Sequence, residues 1–303
     1  MENNQTFTGL PKGQDSYRST FDERFQYRVK VQPVADRLEF SIRAVDTRLQ
    51  ALAHDRAMLG NPLRGKTTTV AVDPLDSIRR SKLRARSMVR LLALEMRIDR
   101  MFTFTIRHTG EPVEYDTVLK AWDMFRRMVE RCYPEFRYLA TPELQRNGQW
   151  HIHAGTRGFL NINILRRCWQ SALNRVLGRS QLLTDGADSP GHVHVGNKGP
   201  VRGDGARKSS KIAGYIAKYI GKVMDLAMNR KKYFHSDGVK ITPAQRRWLE
   251  SDTRDGALLE VMRLYGILDP SAGAYDGWDV KVWNRDACSA WFYVPIDSLP
   301  PPF

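Results

Sequence analysis

The stretch Phe136–Gly155, FRYLATPELQRNGQWHIHAG, decides how this chain folds. Phe136 to Gln145 and Gln149 to Gly155 each read as a strand, and Asn147-Gly148 between them is one of the stronger short-range hairpin signals, since both residues accept the left-handed backbone of a tight turn. A hairpin demands antiparallel pairing. Residues two apart in a strand share a face, so His151 and His153 present two imidazoles on one side while Ile152 faces the core. That spacing can chelate a single metal ion, and Glu143 on the partner strand sets a carboxylate beside the imidazoles, leaving positions open for a phosphate oxygen.

Upstream of the hairpin, Met101–Arg107 (MFTFTIR) alternates bulky apolar residues with threonine, the period of a half-buried strand. Before it, Asp76 to Arg97 has helical spacing with Leu83, Val89 to Leu92 and Leu94 as apolar positions, and carries Arg79, Arg80, Lys82, Arg84, Arg86 and Arg90. Thr117 to Tyr133 returns to helical spacing through Val118, Trp122, Phe125 and Val129. Downstream come a helix from Ile162 to Leu177, a short strand His192–Val195, a helix Ser210–Met228 and a strand over Lys231–His235.

Alternating strands and helices around an antiparallel hairpin make an α+β fold, a central antiparallel sheet flanked by helices. Residues 76–235 form this central domain. Residues 1–75 read as a polar N-terminal extension with one helix over Ala35–Leu59, and 236–303 as a C-terminal, mostly helical extension through Thr242–Leu268 that ends in an aromatic tail.

Lys and Arg outnumber Asp and Glu by 48 to 33 in 303 residues, a net charge of +15, so a polyanion is the natural partner. The three cysteines, Cys132, Cys168 and Cys288, have no spacing that frames a zinc site or a disulfide network. No apolar run approaches the length of a membrane span, and the polar start lacks a secretion signal's apolar core, so a soluble cytoplasmic protein without a membrane partner is expected.

On the late helix, Tyr215-Ile-Ala-Lys-Tyr219 places two tyrosines four apart, hence on one face, with Lys218 and Lys222 nearby. Taken singly, the histidine pair also suits a half-buried strand and the tyrosine pair a helix packed on a sheet. The order of the segments adds a further signal. RARSMVRLLALEMRIDRMFTFT, then PELQRNGQWHIHAG, then AGYIAKYIGK resembles the three motifs of rolling-circle replication initiators of the HUH endonuclease superfamily, specifically the two-tyrosine type found in phages and plasmids. The similarity runs from about Arg84 to Lys222.

That resemblance implies a ferredoxin- or RRM-like sheet in a bacterial cytoplasm, and a nicking reaction on single-stranded or origin DNA. It implies Mg²⁺ or Mn²⁺ held by Glu143, His151 and His153, with the ion acting as a Lewis acid on the scissile phosphate. Tyr215 is then the nucleophile that forms a 5′-phosphotyrosine and frees a 3′-hydroxyl, Lys218 offsets negative charge, and Tyr219 permits a second cleavage and strand transfer. A host helicase and polymerase become the implied partners. Relaxases carry the tyrosine before the histidines, and related transposases commonly bring a cysteine-rich zinc segment. The order and the cysteines here favour an initiator, with a transposase or a non-catalytic single-strand-binding repressor as alternatives.

Further features compete for attention. His192-Val-His194 repeats the chelating spacing without an upstream acid. Gly60 to Thr67 (GNPLRGKT) matches the phosphate-binding G-x-x-x-x-G-K-T pattern, but a helical segment precedes it and a β-prone one follows, the reverse of that loop's context. The basic helix and the loop cations Lys198, Arg202, Arg207, Lys208 and Lys211 flank the expected site as candidates for DNA phosphates. Trp150 suits either base stacking or the core, and Trp283, Trp291, Phe292 and Tyr293 a cap or an interface.

Overall fold

Two stretches in which apolar residues recur at every second position lie far apart in this chain, and each nucleates its own antiparallel sheet. In the computed structural model, residues 4–6, 25–48, 74–107, 113–145, 147–178, 189–195, 209, 211–218, 232–267, 281–286 and 289–299 are described. The chain divides into two compact units, Met1–Val70 with Thr242–Phe303, and Ala71–Ile241.

The 71–241 unit runs α1 (Pro74–Glu95), β4 (Arg100–Ile106), α2 (Tyr115–Cys132), β5 (Tyr138–Leu144), β6 (Trp150–Thr156), α3 (Ile162–Val176), β7 (Gly191–Val195), α4 (residues 211–218) and β8 (Phe234–His235). Its sheet has the order β7-β4-β6-β5-β8, antiparallel throughout. The hairpin turn forms as its sequence demands: Gly148 has φ +77°, its amide donates to Gln145 O at 3.0 Å, and the Gln149 amide donates to Asn147 Oδ1 at 3.1 Å.

One face of this sheet, with Phe104, Ile152, Ala154 and Val193, packs on α2 and α3. Phe104, Trp122, Phe125 and Trp169 interlock edge to face there, with Phe104–Phe125 centroids 4.7 Å apart and Phe104–Trp169 5.5 Å. Trp150 belongs to the same core. It is 7% exposed and its indole N–H donates to Val113 O at 2.8 Å, so it is not a base-stacking residue. The opposite face, at the Met101, Leu139 and Gly155 end, is covered by α1 and α4 through Val89, Ala93, Ile212, Ala213 and Ile216. Leu83, expected among the inward positions of α1, is instead 56% exposed, whereas Val89, Leu91, Leu92 and Leu94 are buried. Cys132 and Cys168 meet between α2 and α3, where burial and the neighbouring Cys132 push the Cys168 thiol up to about 11.

The segments expected as separate terminal extensions supply one sheet of order β1-β10-β11-β3-β2-β9. β1 (Asn4–Thr6), β2 (Phe25–Val34) and β3 (Arg37–Asp46) come from the first segment. β9 (Gln245–Trp248), α5 (Arg254–Leu264), β10 (Lys281–Asp286) and β11 (Ser289–Pro295) come from the last. The helix expected over Ala35–Leu59 is therefore corrected, over its described part, to strand β3. Leu38 and Ile42 sit four apart, a spacing a helix shares, but Phe40 completes a two-residue alternation and β3 is paired on both edges. The mostly helical reading of Thr242–Leu268 is likewise corrected: β9 precedes a helix of only 11 residues. Its sequence, QRRW, has no apolar alternation, and the strand exists because β2 offers an edge to pair with. Phe40 stacks on Phe292 with centroids 4.7 Å apart, and α5 closes this core with Leu258, Val261 and Met262.

Candidate active site

The pairing register assembles the site. Thr105 lies opposite His151 on one side and His192 on the other, and Glu143 lies opposite His151 across the hairpin. The next row reads His194, Thr103, His153, Thr141. Directly opposed residues share a face, so both histidine pairs and Glu143 stand on the face away from the aromatic core.

Within that face, His153 is the pivot. Its Nε2 lies 2.7 Å from Glu143 Oε2 and its Nδ1 3.2 Å from Thr103 Oγ1. Both partners of the first contact are nearly inaccessible, Glu143 at 5% and His153 at 4%. His151 is half-buried, and Gln145 Nε2 pairs with its Nδ1 at 3.0 Å, leaving Nε2 as the nitrogen for a ligand. Burial above all, then His153 and His194, hold the His151 imidazole below its ordinary pKa, while Glu143 opposes them. A neutral imidazole, with a lone pair to donate, follows at neutral pH.

Chemically this donor set fits a hard or borderline divalent ion: one carboxylate and two imidazoles on one face, with Thr103 and Gln145 fixing ring orientation. Glu143 and His153 close on each other, and among the described residues no three such side chains are grouped as a metal cluster. The His192–His194 pair is exposed, its rings 6.1 Å apart, with β4 between it and the Glu143 hairpin.

Helix α4 brings Tyr215 to this face. Ile212, Ala213 and Ile216 point into the cluster shared with α1, which leaves Lys211, Tyr215 and Lys218 on the exposed side. Residues three and four apart are helix neighbours, so the two lysines bracket the tyrosine. The Tyr215 ring stands edge-on to His153, centroids 6.1 Å apart, and is 45% exposed. Three anchors that the sequence reading did not identify as such set this helix. The Ser209 hydroxyl donates to Ile98 O at 2.8 Å, Arg86 Nε donates to Ala217 O at 3.1 Å, and Gly155 leaves the gap into which Ile216 fits.

Among the expected DNA contacts, Arg79, Arg80, Arg84 and Arg86 are exposed on α1, and Lys82 and Arg90 are partly so. Lys232, absent from the sequence reading, adds a cation beside them: its ammonium is hydrogen-bonded to Ser81 Oγ, and burial, Arg84 and Lys82 lower its pKa. Tyr219, Lys208 and Lys222 lie outside the described residues, as do Lys198, Arg202, Arg207 and the Gly60–Thr67 stretch.

His153→Ala is expected to lower stability by about 1.5–3 kcal/mol, the worth of a buried hydrogen bond to a charged group, because it strips the imidazole from Glu143. Chemical denaturation checks this, and Glu143→Ala combined with His153→Ala should cost less than the two single changes summed.

Residues 99–224 match the ORF2 family of replication-associated proteins. The match covers β4 through α4, and thus Glu143, His151, His153 and Tyr215, while α1 and the other unit lie outside it. No curated protein and no solved structure matches the chain significantly.

Proposed function

We propose that this chain, with a replication-associated segment over residues 99–224, is a rolling-circle replication initiator that nicks and rejoins single-stranded DNA through a covalent tyrosine link. The observation that carries the reading is the seating of Tyr215 against His153, itself paired with Glu143, on one sheet face. In this reaction the Tyr215 phenolic oxygen forms a bond to the scissile phosphorus, the P–O3′ bond breaks, and the 3′ oxygen leaves as a hydroxyl that primes synthesis. Attack by a 3′-hydroxyl on the phosphotyrosine reverses the step and joins strands.

Glu143, His151 and His153 are the residues that would hold Mg²⁺ or Mn²⁺, which when bound supplies Lewis-acid polarisation of the phosphate. Thr103 and Gln145 hold the two imidazoles in place. Lys211 and Lys218 offer positive charge on either side of the tyrosine, where the pentacoordinate phosphorane gathers negative charge. Tyr219 is the proposed second nucleophile, one helical turn on in sequence. The cations of α1 are proposed to hold backbone phosphates, which positions the strand without reading it.

Incubation with Mn²⁺ and a broad set of single-stranded oligonucleotides, including origin sequences, should give a protein–DNA adduct that survives a denaturing gel and disappears with chelator. Failure to form an adduct with every oligonucleotide would sink the nicking reading and leave a binding protein.

A further inference from the structure

The sheet of the 1–70 and 242–303 unit has one face closed by α5 and another built very differently. Register defines two rows on that second face. One reads Trp248, Arg28, Arg43, Ser289 across β9, β2, β3 and β11; the next reads Arg246, Lys30, Ser41, Trp291. Arg28 thus faces Arg43 directly, and Lys30 faces Arg246. Like charges directly opposed destabilise a sheet, and here two such pairs lie side by side. Among the described residues of these four strands, Glu39 is the one carboxylate that register places on this face, and it is engaged by Arg37 at 2.7 Å. The Arg37–Glu39 end is buried, with Gln32 donating to Thr242 O at 2.7 Å. Towards the other end the face opens: Arg43 and Arg246 are exposed and Trp248 is 37% exposed, with the Arg28 guanidinium 5.4 Å above its ring.

We infer that this open face is a second nucleic-acid site, a platform on which single-stranded DNA lays its phosphates on the arginines and stacks bases on Trp248 and Trp291. Flat aromatic rings interleaved with cations on a sheet suit a strand whose bases are unpaired, because every base has a face to stack and every linkage a charge to neutralise. An uncompensated cationic face calls for a polyanion, and DNA is chosen over RNA because the same chain carries the replication-associated segment. The inference does not depend on tyrosine chemistry.

The full-length chain is titrated in chelator with a fluorescent oligothymidylate at several salt concentrations, as wild type, Arg43→Gln with Arg246→Gln, Trp248→Ala and Trp248→Phe. Loss of two phosphate contacts should flatten the slope of log K against log salt by about 1.4. Trp248→Ala should weaken binding roughly five- to a hundredfold, with Trp248→Phe restoring most of it. Unchanged slope and affinity in variants with wild-type melting curves overturn the proposal. So does tighter binding of RNA that depends on the same residues, of an acidic polypeptide, or of a second copy of the chain. Adduct formation in Mn²⁺ is scored separately: altered slopes without any adduct keep this site and remove the nicking reading, and the converse removes this site alone.

Discussion

Tyr215→Phe should reduce the initial rate of adduct formation by a factor of a thousand or more, on the order of the loss expected when the attacking atom itself is removed, while changing stability by less than about 0.5 kcal/mol. Both halves follow from where the ring sits. Its edge-on contact with His153 is made by carbon atoms that phenylalanine keeps, and its 45% exposure means that deleting the hydroxyl empties no core cavity. A tyrosine that merely packs α4 would show the opposite pattern, small effects on both measurements. Tyr219→Phe alone should leave the first cleavage and impair strand transfer, and the double change should abolish the adduct. Gel assays of adduct and of joined product, beside thermal melts, decide among these outcomes. An adduct that survives the double change overturns the mechanism.

The second large effect is expected far from any reacting atom. Gly155 lies two residues beyond His153 on the same face, where a Cβ would sit 2.8 Å from Ile98 Cγ2 and 3.0 Å from Ile216 Cδ1. Alanine asks those side chains to yield by a few tenths of an ångström. Valine has no such option, and overpacking of this kind costs roughly 1–3 kcal/mol. The easiest relief is for α4 to lift from the sheet, which carries Tyr215 away from His153. A misplacement of about 1 Å can cost about a hundredfold in rate, so Gly155→Val should lose at least that much adduct formation, and Gly155→Ala far less. Ile216→Ala in the valine background should recover part of the rate by reopening the gap. Recovery of stability without any recovery of rate would show that the gap does not set the tyrosine's position.

The hairpin and its site were legible because their signals are local. Asn147-Gly148 fixes the turn, the turn fixes the register, and the register places Glu143 opposite His151. Tyr215 could be named from sequence order, but its contact with His153 depends on Gly155, Ser209 and Arg86, whose roles appear only when α4 is docked. The other sheet was not legible. β3 carries a spacing that a helix also satisfies, and β9 has no apolar pattern, so each is decided by partners more than 200 residues distant, as in the pairing of Arg28 with Trp248 or of Arg43 with Ser289. The domain boundaries failed for the same reason, since no composition shift marks two strand sets that belong together. His192 and His194 illustrate the converse. Sequence set them aside for want of an acid, yet register brings them onto the same face as His151 and His153, one strand beyond β4.

Because β3 pairs with β11, the ribosome releases one half of that sheet long before the other. Synthesis at about 5–20 residues per second puts on the order of ten to thirty seconds between them, the time taken by residues 71–241. For that interval the β2–β3 hairpin has a bare edge, the kind of edge along which nascent chains on one messenger stick together. Arg37 and Arg43 lie along that edge, and charge there disfavours pairing with a like strand. The middle unit can finish folding first, and the outer unit becomes whole only once the last strand has been made.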